Sequence, residues 1–251
     1  MSKLLHPLGS PEWLSHVFSP PPVRGLKGRS KSTRSHDFFS VHMARPIIVE
    51  GRNEHCAACV LEYLCTLGLL KRYKEQPFRA DPDEFGFEIV PDFLAEGSNG
   101  QLYIVEVKTA RFITTHLESI LQRNREKFAE YGLRYLLWSD RTPLNYALRH
   151  TIHEAKRWAC LVDEEEQIML RDHVAAHMRV TVADLYEKGF DWGAIHAATW
   201  SGHVHFKLLD DFAFSTEVAS APLLDLRAIF LGATERGSSW WRALAHYGGG
   251  Q

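Results

Sequence analysis

Two acidic residues and a lysine stand inside apolar runs that read as buried strands. Asp92 lies in "VPDFLAEG", and Glu106 and Lys108 lie in "QLYIVEVK". Charges inside buried strands are costly unless they are paired or bind an ion. Carboxylates without nitrogen or sulfur ligands suit a hard cation such as Mg²⁺, with Mn²⁺ able to replace it, and a neighbouring lysine can orient an attacking water. The residue types therefore predict metal-dependent hydrolysis of a phosphodiester.

The Ser-Asn-Gly turn at residues 98–100 decides whether these side chains can meet. A three-residue loop that ends in a left-handed glycine places Asp92 directly opposite Glu106. A two-residue loop would instead pair Asp92 with Val107, whose side chain points to the other face of the sheet. Because Glu106 and Lys108 are two residues apart, they share a face. The three-residue loop therefore predicts a cluster of two carboxylates and one amine.

Apolar periodicity around this hairpin predicts the elements that hold it. Thr115 and Glu118 predict a capping box at the start of one helix, and Thr142-Pro143 predicts the start of another. The order of the elements predicts an α/β fold with a mixed sheet flanked by helices. The elements are a helix over 54–70, a short strand over 71–78, the two hairpin strands, a helix over 114–132, a strand over 134–139 and a helix from 142 to about 160.

Composition describes a globular chain with a basic beginning. The 251 residues are 45% hydrophobic and 24% charged with a net charge of −2, so a nucleic-acid surface must be local. We predict a basic arm over residues 1–45 that is partly extended or disordered, and the α/β domain over residues 46–162. For residues 163–251 we predict a smaller, mostly helical domain that has the outline of a winged helix-turn-helix and binds a partner or DNA. The four cysteines suggest no disulfide framework, and no apolar run has bilayer length. We therefore expect a cytoplasmic protein that does not enter a membrane.

The cations of the arm predict contacts with DNA phosphates, because folding alone does not require a cationic cluster there. The residues expected to bind DNA are Arg24, Lys27, Arg29, Lys31 and Arg34.

The ordered motifs resemble those of the PD-(D/E)xK nucleases, which have a restriction-endonuclease-like fold. The closer resemblance is to the TnsA endonuclease subunits of heteromeric transposases, and it covers residues 24–140 best. "PDF" and "EVK" carry the wider resemblance, and "EQP" makes it more specific. The matching residues are Arg24-Gly25, Ser30-Lys31, Glu50, Glu54, Glu75-Gln76-Pro77, Pro91-Asp92-Phe93 and Glu106-Val107-Lys108.

The resemblance implies a role for each residue of the site. Asp92 and Glu106 would bind the divalent metal, with the Val107 carbonyl as a further ligand. Glu54 would reach the metal from its helix, directly or through a water. Lys108 would activate or orient the attacking water.

The resemblance also implies a biological setting. Such a subunit cuts the 5′ ends of a transposon in double-stranded DNA, beside a DDE-class transposase that cuts and joins the 3′ ends. An AAA+ ATPase regulator contacts the complex, partly through the C-terminal domain, and the assembly lies on the bacterial nucleoid. The alternatives are a stand-alone restriction or repair nuclease of the same fold and an inactive DNA-binding scaffold. Glu50 is the alternative to Glu54 as the helix carboxylate.

Overall fold

The computed structural model describes residues 7–19, 35–80, 89–177 and 179–232, and the chain divides into two compact units. The first unit is Met1–Ser139 and the second is Asp140–Gln251. This division falls earlier than the boundary expected at residue 163. The difference arises because the helix over Tyr146–Ala159, which was expected to complete the α/β domain, packs against the helix Trp192–Trp200 of the second unit.

The first unit is built on a mixed sheet flanked by helices, as the sequence predicts. Its described elements are α1 (Pro11–Phe18), β1 (Ser35–Ser40), β2 (Arg45–Glu50), α2 (Arg52–Thr66), β3 (Leu70–Glu75), β4 (Phe93–Gly97), β5 (Leu102–Lys108), α3 (Thr115–Glu130) and β6 (Leu133–Ser139). The four-stranded sheet has the order β3-β4-β5-β6, in which β3, β4 and β5 are antiparallel and β6 is parallel to β5. Strands β1 and β2 form a separate antiparallel hairpin.

The main sheet is covered by helices on both faces. On one face, Leu94 and Ile104 form a buried cluster with Phe128 of α3 and Trp13 of α1. Helix α2 lies on the other face, where its Glu62 accepts a hydrogen bond from the Tyr73 hydroxyl of β3 at 2.8 Å. Asp92 and Glu106 share the face of Leu94 and Ile104, and they lie where the apolar cover ends.

Within the predicted arm, the described residues form helix α1 and strand β1, and both are anchored to the first unit. Ser10 caps α1 by accepting a hydrogen bond from the Trp13 amide at 3.1 Å. Trp13 and Val17 are 1% and 2% exposed, and their spacing of four residues places them on one helical face. Strand β1 ends at Ser40, whose hydroxyl donates to Glu62 of α2 at 2.6 Å. The composition of residues 1–45 as a whole gave no sign that Trp13, Val17 and Ser40 would be buried.

Helices dominate the second unit, together with a short two-stranded sheet in which β7 and β8 are antiparallel. The described elements are α4 (Tyr146–Ala159), α5 (Glu164–His177), β7 (Arg179–Thr181), α6 (Val182–Glu187), α7 (Trp192–Trp200), β8 (Glu217–Ala219) and α8 (Leu226–Leu231). Helix α7 packs on α4 and α5 and is buried over residues 193–199. Across both units, the helices of the described segments all fall short of the length and apolar character that a bilayer-spanning helix needs.

Two helices begin at other residues than the sequence predicts, α3 one residue earlier and α4 later, because a different side chain supplies each cap. Thr114 rather than Thr115 caps α3, since its hydroxyl accepts a hydrogen bond from a first-turn amide at 3.2 Å. Helix α4 begins at Tyr146 rather than at Pro143, since the Asn145 side chain accepts from a first-turn amide at 2.8 Å. Both caps follow the preference of threonine and asparagine for this position.

Candidate active site

The hairpin of β4 and β5 has the register that a three-residue loop predicts. The Gly97 amide donates to the Gln101 carbonyl at 2.8 Å, which closes the loop. Gly100 has a φ of 80°, a conformation that strains residues with a side chain. The strand register, continued by one residue beyond β4, places Asp92 opposite Glu106. The two carboxylates therefore lie on the same face, as predicted.

Asp92, Glu106 and Lys108 form a polar cluster at the end of β5. The Lys108 Nζ lies 3.6 Å from Asp92 Oδ2 and forms an ion pair with Glu106 Oε1. The Val107 amide donates to Asp92 Oδ2 at 2.8 Å, which fixes the carboxylate against β5. The side chains of Asp92 and Glu106 are 11% and 10% exposed. Because water screens these charges only weakly, their interactions are strong.

The Lys108 amine is held in its charged form. Burial acts to lower its pKa, but the carboxylates of Asp92 and Glu106 raise the pKa above the ordinary lysine value. A lysine with a raised pKa cannot accept a proton from water at neutral pH. In the metal-free protein, these electrostatics favour Lys108 as a cation that orients water or stabilises charge on a phosphate.

Glu54, in the first turn of α2, lies close enough to this cluster for the charges of Asp92 and Lys108 to affect its pKa. Its Oε2 accepts a hydrogen bond from the Glu50 amide at 3.0 Å. Burial, followed by the charge of Asp92, raises the pKa of Glu54 to about 8. In the metal-free protein Glu54 is thus protonated at neutral pH, and a nearby cation would favour its ionised form. Glu50 ends β2 before the helix begins, so Glu54 is the helix carboxylate next to the cluster.

The end of β3 holds the backbone of Asp92 in place. The Gln76 amide donates to the Asp92 carbonyl at 2.8 Å, and Gln76 has a φ of 41°, which is uncommon for a residue with a side chain. The neighbouring Glu75 is buried and binds Arg45 through two hydrogen bonds of 2.6 Å. The "EQP" motif therefore supports Asp92 through the backbone, while its glutamate is occupied by an arginine.

A side-chain hydrogen bond ties the start of α2 to the end of β5. Asn53 Nδ2 donates to Thr109 Oγ1 at 3.2 Å. Asn53 precedes Glu54 and Thr109 follows Lys108, so this bond holds together the two segments that carry the site. Sequence analysis missed this contact, because the pattern of each segment contains no signal that these two polar residues meet.

The remaining predicted site residues are Val107 and the basic residues of the N-terminal arm. The Val107 side chain is 6% exposed and points to the opposite face, so only the backbone of this residue can contribute to the site. The basic residues expected to contact DNA lie outside the described residues. They are Arg24, Lys27, Arg29, Lys31 and Arg34.

The donor set of this site fits a hard divalent cation. The side chains of Asp92, Glu106 and Glu54 offer only oxygen ligands, which Mg²⁺ and Mn²⁺ prefer. When these carboxylates are ionised, the single charge of Lys108 does not balance them, and the negative charge of Asp92 adds to burial in raising the pKa of Glu54. A divalent cation would remove the imbalance.

The chain matches no protein-family model and no curated protein. Its function must therefore be argued from the residues and the geometry of the site.

Proposed function

We propose that this protein is a Mg²⁺-dependent endonuclease that hydrolyses a phosphodiester of double-stranded DNA. The observation that carries the proposal is the convergence of Asp92, Glu106 and Lys108, with Glu54 of α2 near enough to interact electrostatically with Asp92. Gathering partly buried carboxylates costs free energy through desolvation and mutual repulsion. Cation binding explains this cost, and the nearby ammonium suits a phosphate substrate.

Each residue has a distinct task in the proposed reaction. Asp92 and Glu106 hold the Mg²⁺ through carboxylate oxygens, and Glu54 and the Val107 carbonyl are the further protein ligands. When bound, this ion supplies a Lewis acid and lowers the pKa of a coordinated water. Lys108 keeps its proton, orients the attacking water and stabilises the negative charge that develops on the phosphoryl oxygens.

We further propose that the nuclease is a TnsA-like subunit of a bacterial transposase that cuts the 5′ ends of a transposon. The ordered motifs "EQP", "PDF" and "EVK" and the mixed sheet support this assignment. The assignment implies a DDE-class transposase and an AAA+ ATPase as partners, and a cytoplasmic protein associated with the nucleoid. Neighbouring genes for such a transposase and ATPase would support it independently.

The second unit supports a winged-helix assignment and a protein partner. Its elements follow the order α5, β7, α6, α7 and β8, and His205 forms a β-bridge with Ala219 beside the β7–β8 pair. This is the order of a winged helix, in which α7 takes the position of the groove-reading helix. Because α7 is buried over residues 193–199, its side chains are poorly placed to read bases. We therefore assign this unit to contacts with the transposase or the ATPase.

A nicking assay on transposon-end DNA tests the proposal. Wild type with Mg²⁺ and the partner transposase should nick the DNA, whereas Asp92→Ala should be inactive and Glu12→Ala, which removes an exposed carboxylate of α1, should retain activity. Undiminished nicking by Asp92→Ala would reject the site. Efficient nicking by wild type alone would favour a stand-alone nuclease, and no nicking in any mixture would favour an inactive scaffold.

A further inference from the structure

An exposed aromatic side chain stands just beyond the strand that carries Lys108. Phe112 is 60% exposed, although burial of a phenylalanine ring is normally favourable. The guanidinium of Arg111, which is also exposed, lies 4.6 Å from the centroid of this ring. The guanidinium of Arg111 thus covers one side of an apolar ring that lies outside the protein core.

The turn that carries this pair is fixed to the framework of the active site. Ala110–Phe112 forms a 3₁₀ turn in which the Phe112 amide donates to the Thr109 carbonyl at 2.9 Å. The Thr109 side chain is itself bound to Asn53 of α2 at 3.2 Å. The hydrogen bonds of Thr109 therefore tie the backbone beside Phe112 to both β5 and α2. A ring on this backbone has a defined position relative to the active site.

The length of the chain limits the distance between the ring and the reacting phosphate. Phe112 follows Lys108 by four positions, so their Cα atoms lie within about 14 Å of each other. The 3₁₀ turn shortens this distance to about 10 Å, because it rises only about 2 Å per residue. Neighbouring base pairs of a duplex are about 3.4 Å apart. A phosphate at Lys108 would thus lie within a few base-pair steps of Phe112.

We propose that Phe112 inserts between neighbouring base pairs beside the cleavage site, while Arg111 binds an adjacent phosphate. This inference rests on the proposed function. Apolar wedges of this kind unstack and kink DNA, and the positive charge of an arginine favours the same surface. The preferred substrate is duplex DNA with an easily unstacked pyrimidine–purine step within a few base pairs of the cut.

Fluorescence of 2-aminopurine tests the insertion directly. Duplexes of the transposon end carry this base at one position at a time, and the protein is bound together with the partner transposase, with Ca²⁺ in place of Mg²⁺ to slow cleavage. Wild type should raise the fluorescence at one step near the cut, and Phe112→Ala should abolish the rise and lower nicking efficiency about tenfold. Phe39→Ala is the matched control, because Phe39 is 62% exposed and lies on the β1–β2 hairpin.

Arg111→Ala provides a second readout. It should weaken DNA binding and reduce the slope of log K against log salt by about one, because one phosphate contact is lost. If wild type nicks DNA and Phe112→Ala matches it in both fluorescence and nicking, the insertion is refuted and the proposed function stands. If wild type neither nicks the DNA nor raises the fluorescence at any position, both proposals fail.

Discussion

Glu54→Gln should make the metal-free protein more stable while abolishing nicking. Glutamine keeps the shape of a protonated glutamate, and its carbonyl can still accept the hydrogen bond from the Glu50 amide. Burial and the charge of Asp92 raise the pKa of Glu54 to about 8, against 4.5 for the ordinary side chain. The wild-type carboxyl therefore remains protonated in the folded state at pH values where it ionises in the unfolded state.

The sign and size of the effect follow from this difference in pKa. Between pH 4.5 and 8 the folded state binds more protons than the unfolded state, so wild type loses stability as the pH rises. The loss is about 1 kcal/mol at pH 5 and about 3 kcal/mol at pH 7, from 1.36 kcal/mol per pKa unit. Glutamine does not titrate, so the variant should gain about these amounts relative to wild type.

Urea unfolding in EDTA at pH 5, 6 and 7 measures this gain. The difference in unfolding free energy between Glu54→Gln and wild type should increase with pH. Glu118→Gln is the control, because Glu118 is exposed, and it should show a small difference that does not grow. A Glu54→Gln variant that is less stable than wild type, or equally stable at every pH, would refute the assigned electrostatics of the site.

The remaining predictions concern residues outside the proposed metal site. Glu62→Leu should destabilise the protein by about 3–5 kcal/mol in urea unfolding, because it strips a buried acceptor from the hydroxyls of Ser40 and Tyr73. A smaller loss than in Glu62→Gln would contradict this reasoning. Burial lowers the pKa of His196 to about 4, against an opposing effect of Glu154, so wild type should lose stability as the pH falls from 6.5 towards 4. His196→Leu should remove about 3 kcal/mol of that dependence, and identical acid unfolding profiles would be inconsistent with a neutral buried imidazole.

The hairpin could be predicted from sequence because its signals are local. The loop length sets the register, and the alternation of side chains then places Asp92, Glu106 and Lys108 on one face. The strand-helix order and the mixed sheet also follow from apolar periodicity, which reports burial within each element.

The features that were missed depend on contacts between distant segments. Trp13 anchors α1 in the core of the first unit, although the surrounding composition predicts an extended arm. The hydrogen bond between Asn53 and Thr109 and the division of the chain after Ser139 have no local signature. Both cap positions differ from the prediction because more than one nearby polar residue can serve as a cap, and only the backbone geometry decides between them.

Mn²⁺ binding followed by electron paramagnetic resonance tests the central claim most directly, because it requires neither DNA nor a partner protein. Titration of wild type should show a Mn²⁺ site that Mg²⁺ displaces, and Asp92→Asn should lose that site while unfolding at a similar or higher urea concentration. Equal Mn²⁺ binding by wild type and Asp92→Asn would contradict the account, because the carboxylates gathered by the hairpin would then hold no metal.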